Sequence, residues 1–201
     1  LASQGAVAFN DPGALRLQLR GPLVKSSSVS DTKSEANPIP SAELSDAAAI
    51  KSIAVDAKMF TDEEVGFFDE MLAGFDDGSM EGHEWLVAEN ERGAVVAAAN
   101  YAPEPFAHRV WNIYFIAVSP AAQGQGLGSS LVRHIEEDLR SRGEEIARVL
   151  VVETSSTDQY SRTRDFYRGL DYAEEARIRQ FYGPDDDKIV FWKLLASTTA
   201  G

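Results

Sequence analysis

Cysteine is absent from all 201 residues. That absence excludes disulfides, zinc–thiolate sites and thiol nucleophiles together, and it fits a cytoplasmic protein. Histidine is scarce: His83, His108 and His134 lie on different segments, without metal-ligand spacing, so no metal site is expected. No run of eighteen apolar residues occurs, so the sequence predicts no membrane span. Positive charge is in short supply as well, with 19 Lys and Arg against 32 Asp and Glu and a net charge of −13. Such a polyanion avoids nucleic acid and anionic membrane, and favours cationic small molecules or basic partners. An anionic ligand has to be held by local features, and backbone amides at a helix start can do this.

What is present is the composition of a globular protein, 44% hydrophobic and 25% charged, at a length that suits one domain with some excess. The excess is N-terminal. Residues 1–40 contain "ALRLQLRG" and then "KSSSVSDTKSEANPIPSAE", rich in Ser, Pro and small polar groups and without a core-forming period. The order of a signal peptide is missing, because Arg16 and Arg20 follow the apolar residues and no long apolar core exists. Residues 1–40 are read as an arm or linker, 41–196 as the folded domain and 197–201 as a tail. An arm that packs on a partner subunit, in a homodimer, is one reading of the first segment.

Two helices are expected first. "SDAAAIKSIAVDAKMF" has Ile50, Ile53, Ala54 and Ala57 at helical spacing, with Ser45 as the cap. In "TDEEVGFFDEMLAGFDDG", Thr61 and Glu64 form a capping-box pattern, and Val65, Phe68, Met71, Leu72 and Phe75 mark one face. The pattern then changes to short β-rich runs. "EWLVAEN" and "AVVAAANYA" are joined at "ERG" as a hairpin, and "RVWNIYFIAV" follows and ends at Pro120. From about Gly126 to Arg142, Leu127, Leu131, Ile135 and Leu139 recur every four residues, and Gly143 closes the helix. "ARVLVVET" is the continuous apolar run of a strand covered on both faces. A short helix around Asp158 to Arg168 and two strands, "YAEEARIRQFY" and "KIVFWKLL", complete the chain, with Asp185, Asp186 and Asp187 in a solvated turn. Trp85, Trp111 and Trp192 sit inside strand patterns, as core or pocket walls. The sum is an α/β fold of the α+β mixed-sheet kind, with about six to seven strands flanked by about four helices.

The stretch "AVSPAAQGQGLGSSLV" places three glycines, Gly124, Gly126 and Gly128, between a strand and a helix. Glycine lets a ligand approach the backbone, and the free N–H groups of a helix start point at an anion. A nucleotide P-loop is excluded, since no glycine pair with four intervening residues precedes Lys-Ser or Lys-Thr. A dinucleotide fingerprint fails on spacing. Its third glycine comes one residue early, Ser119 to Gln123 lengthen the loop, and too little chain follows for a second half.

The string Gln123-Gly124-Gln125-Gly126-Leu127-Gly128 resembles the acetyl-CoA motif of the GNAT family of N-acetyltransferases, Gln/Arg-x-x-Gly-x-Gly/Ala. The flanking "VSP" and Leu131-Val132 match its usual surroundings, and "TRDFYRGLDY" resembles the family's "A-x-x-FY-x-x-x-GF" segment. The likeness runs from about Ser45 to Leu195. Two departures stand out. Tyr160 replaces an Asn that commonly contacts the cofactor, and Asp171 replaces a Gly, which suggests a turn built differently.

The resemblance implies a GNAT acyl-CoA N-acyltransferase fold. It also implies an acetyl-CoA-dependent N-acetyltransferase that moves the acetyl group to a primary amine by direct attack. It implies that the pantetheine arm lies along the backbone of Ile116, Ala117 and Val118. The pyrophosphate would then meet the amides of Gln123, Gly124, Gln125, Gly126, Leu127, Gly128 and Ser129, with Arg133 as an added cation. It further implies Tyr167 as the general acid for the leaving thiolate. For the base, Glu153 at the end of the apolar strand comes first and Glu104, between two prolines, second. The acidic balance favours a small cationic acceptor such as a polyamine, an aminoglycoside-like compound or an amino acid derivative. A non-catalytic acyl-CoA-binding or regulatory module, and a protein acetyltransferase, are the alternatives on the same fold.

Overall fold

The computed structural model describes residues 18–19, 42–80 and 82–195. The expected arm or linker therefore lies outside the described residues except for Gln18–Leu19, and so does the tail. Those two residues form β1, which pairs antiparallel with the outer strand of the main sheet.

The elements follow the expected order. Helices α1 (Ala47–Asp56) and α2 (Phe67–Asp76) precede β2 (Glu84–Glu89), β3 (Val95–Pro103) and β4 (Val110–Val118). Then come α3 (Leu127–Ser141), β5 (Val149–Ser155), α4 (Ser161–Gly169), β6 (Ala173–Gly183) and β7 (Asp186–Leu194). The seven strands among the described residues form one mixed sheet in the order β1-β2-β3-β4-β5-β7-β6. Among the described residues only the β4–β5 pair is parallel. Among the described residues no helix is long and apolar enough to cross a membrane.

Local chemistry explains the elements and corrects two details. Ser45 does not cap α1. A short 3-10 turn over Leu44–Asp46 comes first, and Glu43 with Asp46 forms the box: the Glu43 N–H donates to Asp46 Oδ2 at 2.9 Å. Ahead of α2 half of the expected box forms: the Thr61 N–H donates to Glu64 Oε2 at 2.9 Å, but the Glu64 N–H bonds the Thr61 carbonyl at 3.0 Å, not its hydroxyl. The α-helix proper nevertheless begins only at Phe67, beyond a run of turns. In α3 the four-residue period buries Leu127, Leu131, Ile135 and Leu139. Full burial of each such side chain contributes roughly 2 kcal/mol.

Helices cover both faces unequally. On one face α2 sets Phe68 against Trp85 and Phe115, with ring centroids 6.1 and 5.0 Å apart, and α1 packs over β3 and β4. On the other, α3 meets β3 through the Tyr101 hydroxyl, which donates to Asp138 at 2.7 Å. It meets β7 through Lys193, whose ammonium donates to Glu136 at 2.9 Å. α4 packs there as well, with the Tyr167 ring 5.5 Å from Phe191. Strand β5 is not covered on both faces as its apolar run suggests: Leu150 and Val152 are buried, whereas Val151 is half-buried.

Candidate active site

The sheet opens in its middle. The β4–β5 ladder runs from Val110↔Val149 to Ile113↔Val152 and stops, although β4 continues to Val118 and β5 to Ser155. The cause is visible on β4. Opposite β3, Asn100 faces Phe115 and Tyr101 faces Ile113, so Tyr114 is an extra, bulged residue. A bulge bends its strand and increases the local twist. Past it, β4 pairs with β3 alone; Ala117 turns its backbone groups to β3, while those of Ile116 and the N–H of Val118 face the gap toward β5 without a ladder partner.

The glycine loop sits at the open end. Gln123 ties it to the strand, its Nε2 donating to the Val118 carbonyl at 3.1 Å. Gly124 (φ 85°) and Gly126 (φ 76°) take the left-handed conformation that side chains disfavour. Gly126 is the N-cap of α3, whose first regular bond runs from the Ser130 N–H to the Gly126 carbonyl at 2.9 Å. The N–H groups ahead of Ser130, those of Leu127, Gly128 and Ser129, thus have no partner within the helix. No side chain caps this end, and its first turn holds no acidic residue. A Cβ at Gly126 would meet nothing within 4 Å, and Gln125 Oε1 is buried without a partner. Arg133 lies further along the helix, exposed.

Below the opening lies Tyr167. Its ring is wedged among Phe166, Tyr172 and Phe191, and Phe191 stands opposite Val152, the last residue of the β4–β5 ladder. The residue is fully buried and its hydroxyl has no hydrogen-bond partner among the described residues. Burial alone pushes this phenol well above the ordinary tyrosine range, so it holds its proton at neutral pH.

On the opposite face, the two carboxylates predicted from sequence converge. Glu104 accepts from the Tyr114 hydroxyl at 2.9 Å and from Asn112 Nδ2 at 3.1 Å, both on the same oxygen. Burial, the bond to Glu104 and the charges of Glu104 and Glu153 all raise the Tyr114 phenol. Glu153 follows Val152, so the pleat turns it to the face opposite Tyr167. Its carboxylate forms an ion pair with Lys188 at 2.5 Å. Tyr114, Asn112 and Lys188 carried no signal in a single sequence, because a bulge and a cross-strand register bring them there.

Other expectations are revised. The aspartate run is not simply a solvated turn. Asp186 accepts from the Ser155 hydroxyl at 2.6 Å, and Asp187 accepts from the Gln180 N–H at 2.7 Å and from Arg177 Nε at 2.5 Å. These bonds hold Asp187 below the usual carboxylate range. The turn at Asp171 keeps the left-handed backbone a glycine would take, with φ 64°, which Asp tolerates. Tyr160 is buried in the core. His83 meets Asn100 Oδ1 at 3.2 Å and stacks on Tyr114, while His108 is exposed and His134 half-buried. Among the described residues no cluster of three or more potential metal ligands occurs.

Comparison with known proteins agrees with this geometry. A GNAT-family protein from Desulfovibrio desulfuricans is 31% identical, with a TM-score of 0.69 over 76% of this chain and 94% of its own. The Salmonella typhimurium protein yncA, whose structure holds acetyl-CoA, is 24% identical (TM-score 0.63, 80% of this chain, 95% of that one). The ribosomal-protein-S18-alanine N-acetyltransferase of Escherichia coli is 22% identical (TM-score 0.61, 80% and 95%). At such identities the last two show a shared fold alone. No curated protein matches the sequence. The model of the Acetyltransferase (GNAT) family matches residues 47–172, from the start of α1 through the glycine loop to the end of the α4 turn. With an opened sheet, a glycine-capped helix and a family match over most of its length, the chain belongs to the GNAT family of acetyltransferases.

Proposed function

We propose that this protein transfers an acetyl group from acetyl-CoA to the primary amine of a small cationic molecule, with Tyr167 as general acid and residues 41–196 as the catalytic unit. The observation that carries the proposal is the Tyr167 hydroxyl, fully buried, protonated and without a partner beneath the point where β4 and β5 part. A buried hydroxyl left unpaired costs about 1–3 kcal/mol, and that cost is removed when a ligand atom meets it.

Acetyl-CoA supplies the acetyl group as a thioester whose leaving group is a thiolate. The residues present fit it. Along the extended stretch Ile116, Ala117 and Val118, the backbone groups of Ile116 and the N–H of Val118 face the gap without a ladder partner. Gln123, Gly124, Gln125, Gly126, Leu127, Gly128 and Ser129 would surround the pyrophosphate with backbone amides at a helix start. Those amides carry no formal charge, so an anion can be held by a protein of net charge −13. Tyr167 would give its proton to the leaving sulfur. On the other face Glu153, or in its place Glu104, would hold the acceptor's ammonium and take its proton, directly or through water.

The test is release of free CoA thiol across a panel of primary amines, alongside calorimetric titration of acetyl-CoA. Turnover on small amines is the expected result. Tight acetyl-CoA binding without turnover on any amine would instead identify a binding module, and acetylation of protein amines alone a protein acetyltransferase.

A further inference from the structure

Among the described residues, half of one sheet face carries no helix, and its chemistry is not that of a polycation site. α1 and α2 pack over β3 and β4, on the face that carries Glu153. Register and pleat set out what lies beside them. Across β5 and β7, Val151 stands opposite Trp192, and the next row on the same face pairs Glu153 with Val190. Strand β6 extends both rows, with Ala173 opposite Trp192 and Ala176 opposite Val190, and Ile178 stands opposite Lys188 in the row that follows. Val151, Val190 and Trp192 are half-buried and Ile178 is exposed.

These side chains make a continuous apolar shelf that begins at the Glu104–Glu153 pair and ends at the β6 edge. The far rim is shaped by Phe181, whose ring lies 3.6 Å from the Lys188 ammonium, the same ammonium that pairs with Glu153. Phe181 belongs to an irregular stretch between Ile178 and Gly183, where the register slips and Gln180 adopts φ 55°. Asp187 pins that stretch through Arg177 and the Gln180 N–H. Lys188 thus already balances one of the two carboxylates, leaving charge for a single ammonium, with apolar surface next to it.

We infer that the acceptor is a primary amine carried on an apolar or aromatic body, and that Trp192, Val190, Val151 and Ile178 determine this specificity. The inference rests on the acetyl-transfer proposal above and narrows its acceptor. The body of the amine lies on the shelf because the shelf is continuous with the carboxylates that would receive its ammonium. Polyamines and aminoglycosides, with several cations and little apolar surface, fit neither the charge count nor the shelf.

The experiment compares kcat/KM for linear alkylamines of rising length, arylalkylamines, a polyamine, an aminoglycoside and a short peptide. Each added methylene is expected to raise kcat/KM about fourfold until the shelf is filled. Ile178→Glu, at an exposed position, should fold normally and raise KM for the apolar amines about tenfold with little change in kcat. Amine binding without acetyl-CoA is read separately by the fluorescence of Trp192, with Trp192→Phe as the blank. If acetyl-CoA does not bind but apolar amines still quench Trp192, the acetyl-transfer proposal fails and the shelf stands. Preference for the polyamine, the aminoglycoside or the peptide overturns the inference. So does an Ile178→Glu variant that turns a dimer into a monomer without raising KM, since a second copy would then be covering the shelf.

Discussion

At the scale of single residues, the site is two protonation problems on opposite faces of one sheet. Tyr167 is deprived of water and of any partner, which favours the neutral phenol. Replacing it by Phe removes an unpaired polar atom and leaves the ring packing, so the fold should be as stable or slightly more so. CoA release should fall by about 10²–10⁴-fold, with acetyl-CoA affinity little changed. The same burial has a sign in alkali. The folded phenol titrates above the unfolded value of about 10, so its stabilising contribution is complete below pH 10 and is lost as the pH rises beyond it. Thermal unfolding at pH 9 and pH 11 should therefore show a steeper loss in the parent than in Tyr167→Phe. On the other face Glu153 has two roles that can be separated. Glu153→Gln removes the partner of the buried Lys188, which should destabilise by roughly 2 kcal/mol, because a buried charge is left uncompensated. Adding Lys188→Met should restore the unfolding midpoint. If activity returns with it, Glu153 is a structural ion-pair partner rather than the base.

At the scale of elements, the decisive piece is the join of β4, loop and α3. Gly126 caps the helix at φ 76°, and a side chain there would stand in open space in front of the first amides. Gly126→Val should cost about 1–2 kcal/mol of backbone strain, yet fold, and should abolish acetyl-CoA binding by calorimetry. Unchanged affinity would remove the loop from the cofactor site. This join was legible in the sequence because each part obeys a local rule: an apolar run, glycines where φ is positive, and a four-residue apolar period. The hairpin at Asn90 to Gly93 and the closing strands were legible for the same reason. What stayed hidden depends on register. No local rule places a bulge at Tyr114, which opens the sheet and brings the Tyr114 hydroxyl to Glu104. Nor does one reveal that Val151 faces half-open space while its neighbours in the same apolar run are buried. A run of three aspartates looks solvated until β6 and β7 fold Arg177 and Gln180 onto the last of them.

At the scale of the whole molecule, the net charge of −13 acts on the two substrates with opposite sign. On the proposed function, a cationic amine is drawn toward the protein by the summed field, while acetyl-CoA, an anion, is repelled until the α3 amides proposed to hold it act at contact distance. Long-range attraction and repulsion are both screened by salt, since the Debye length shrinks from about 30 Å at 0.01 M to about 8 Å at 0.15 M ionic strength. Short-range bonds from backbone amides to an anion inside the loop are screened far less. Raising the ionic strength across that range should therefore increase KM for the amine and leave KM for acetyl-CoA constant or lower, with kcat nearly unchanged. The apolar shelf adds a second signature. An acceptor held partly by apolar contact keeps that share of its affinity in salt, so the rise in KM should be smallest for the amine with the largest apolar body. Steady-state kinetics at three salt concentrations with a short and a long alkylamine measure both effects. If KM for acetyl-CoA rose with salt as steeply as that of the amines, side-chain cations such as Arg133 would be holding the cofactor, in place of the uncharged amides of the glycine loop.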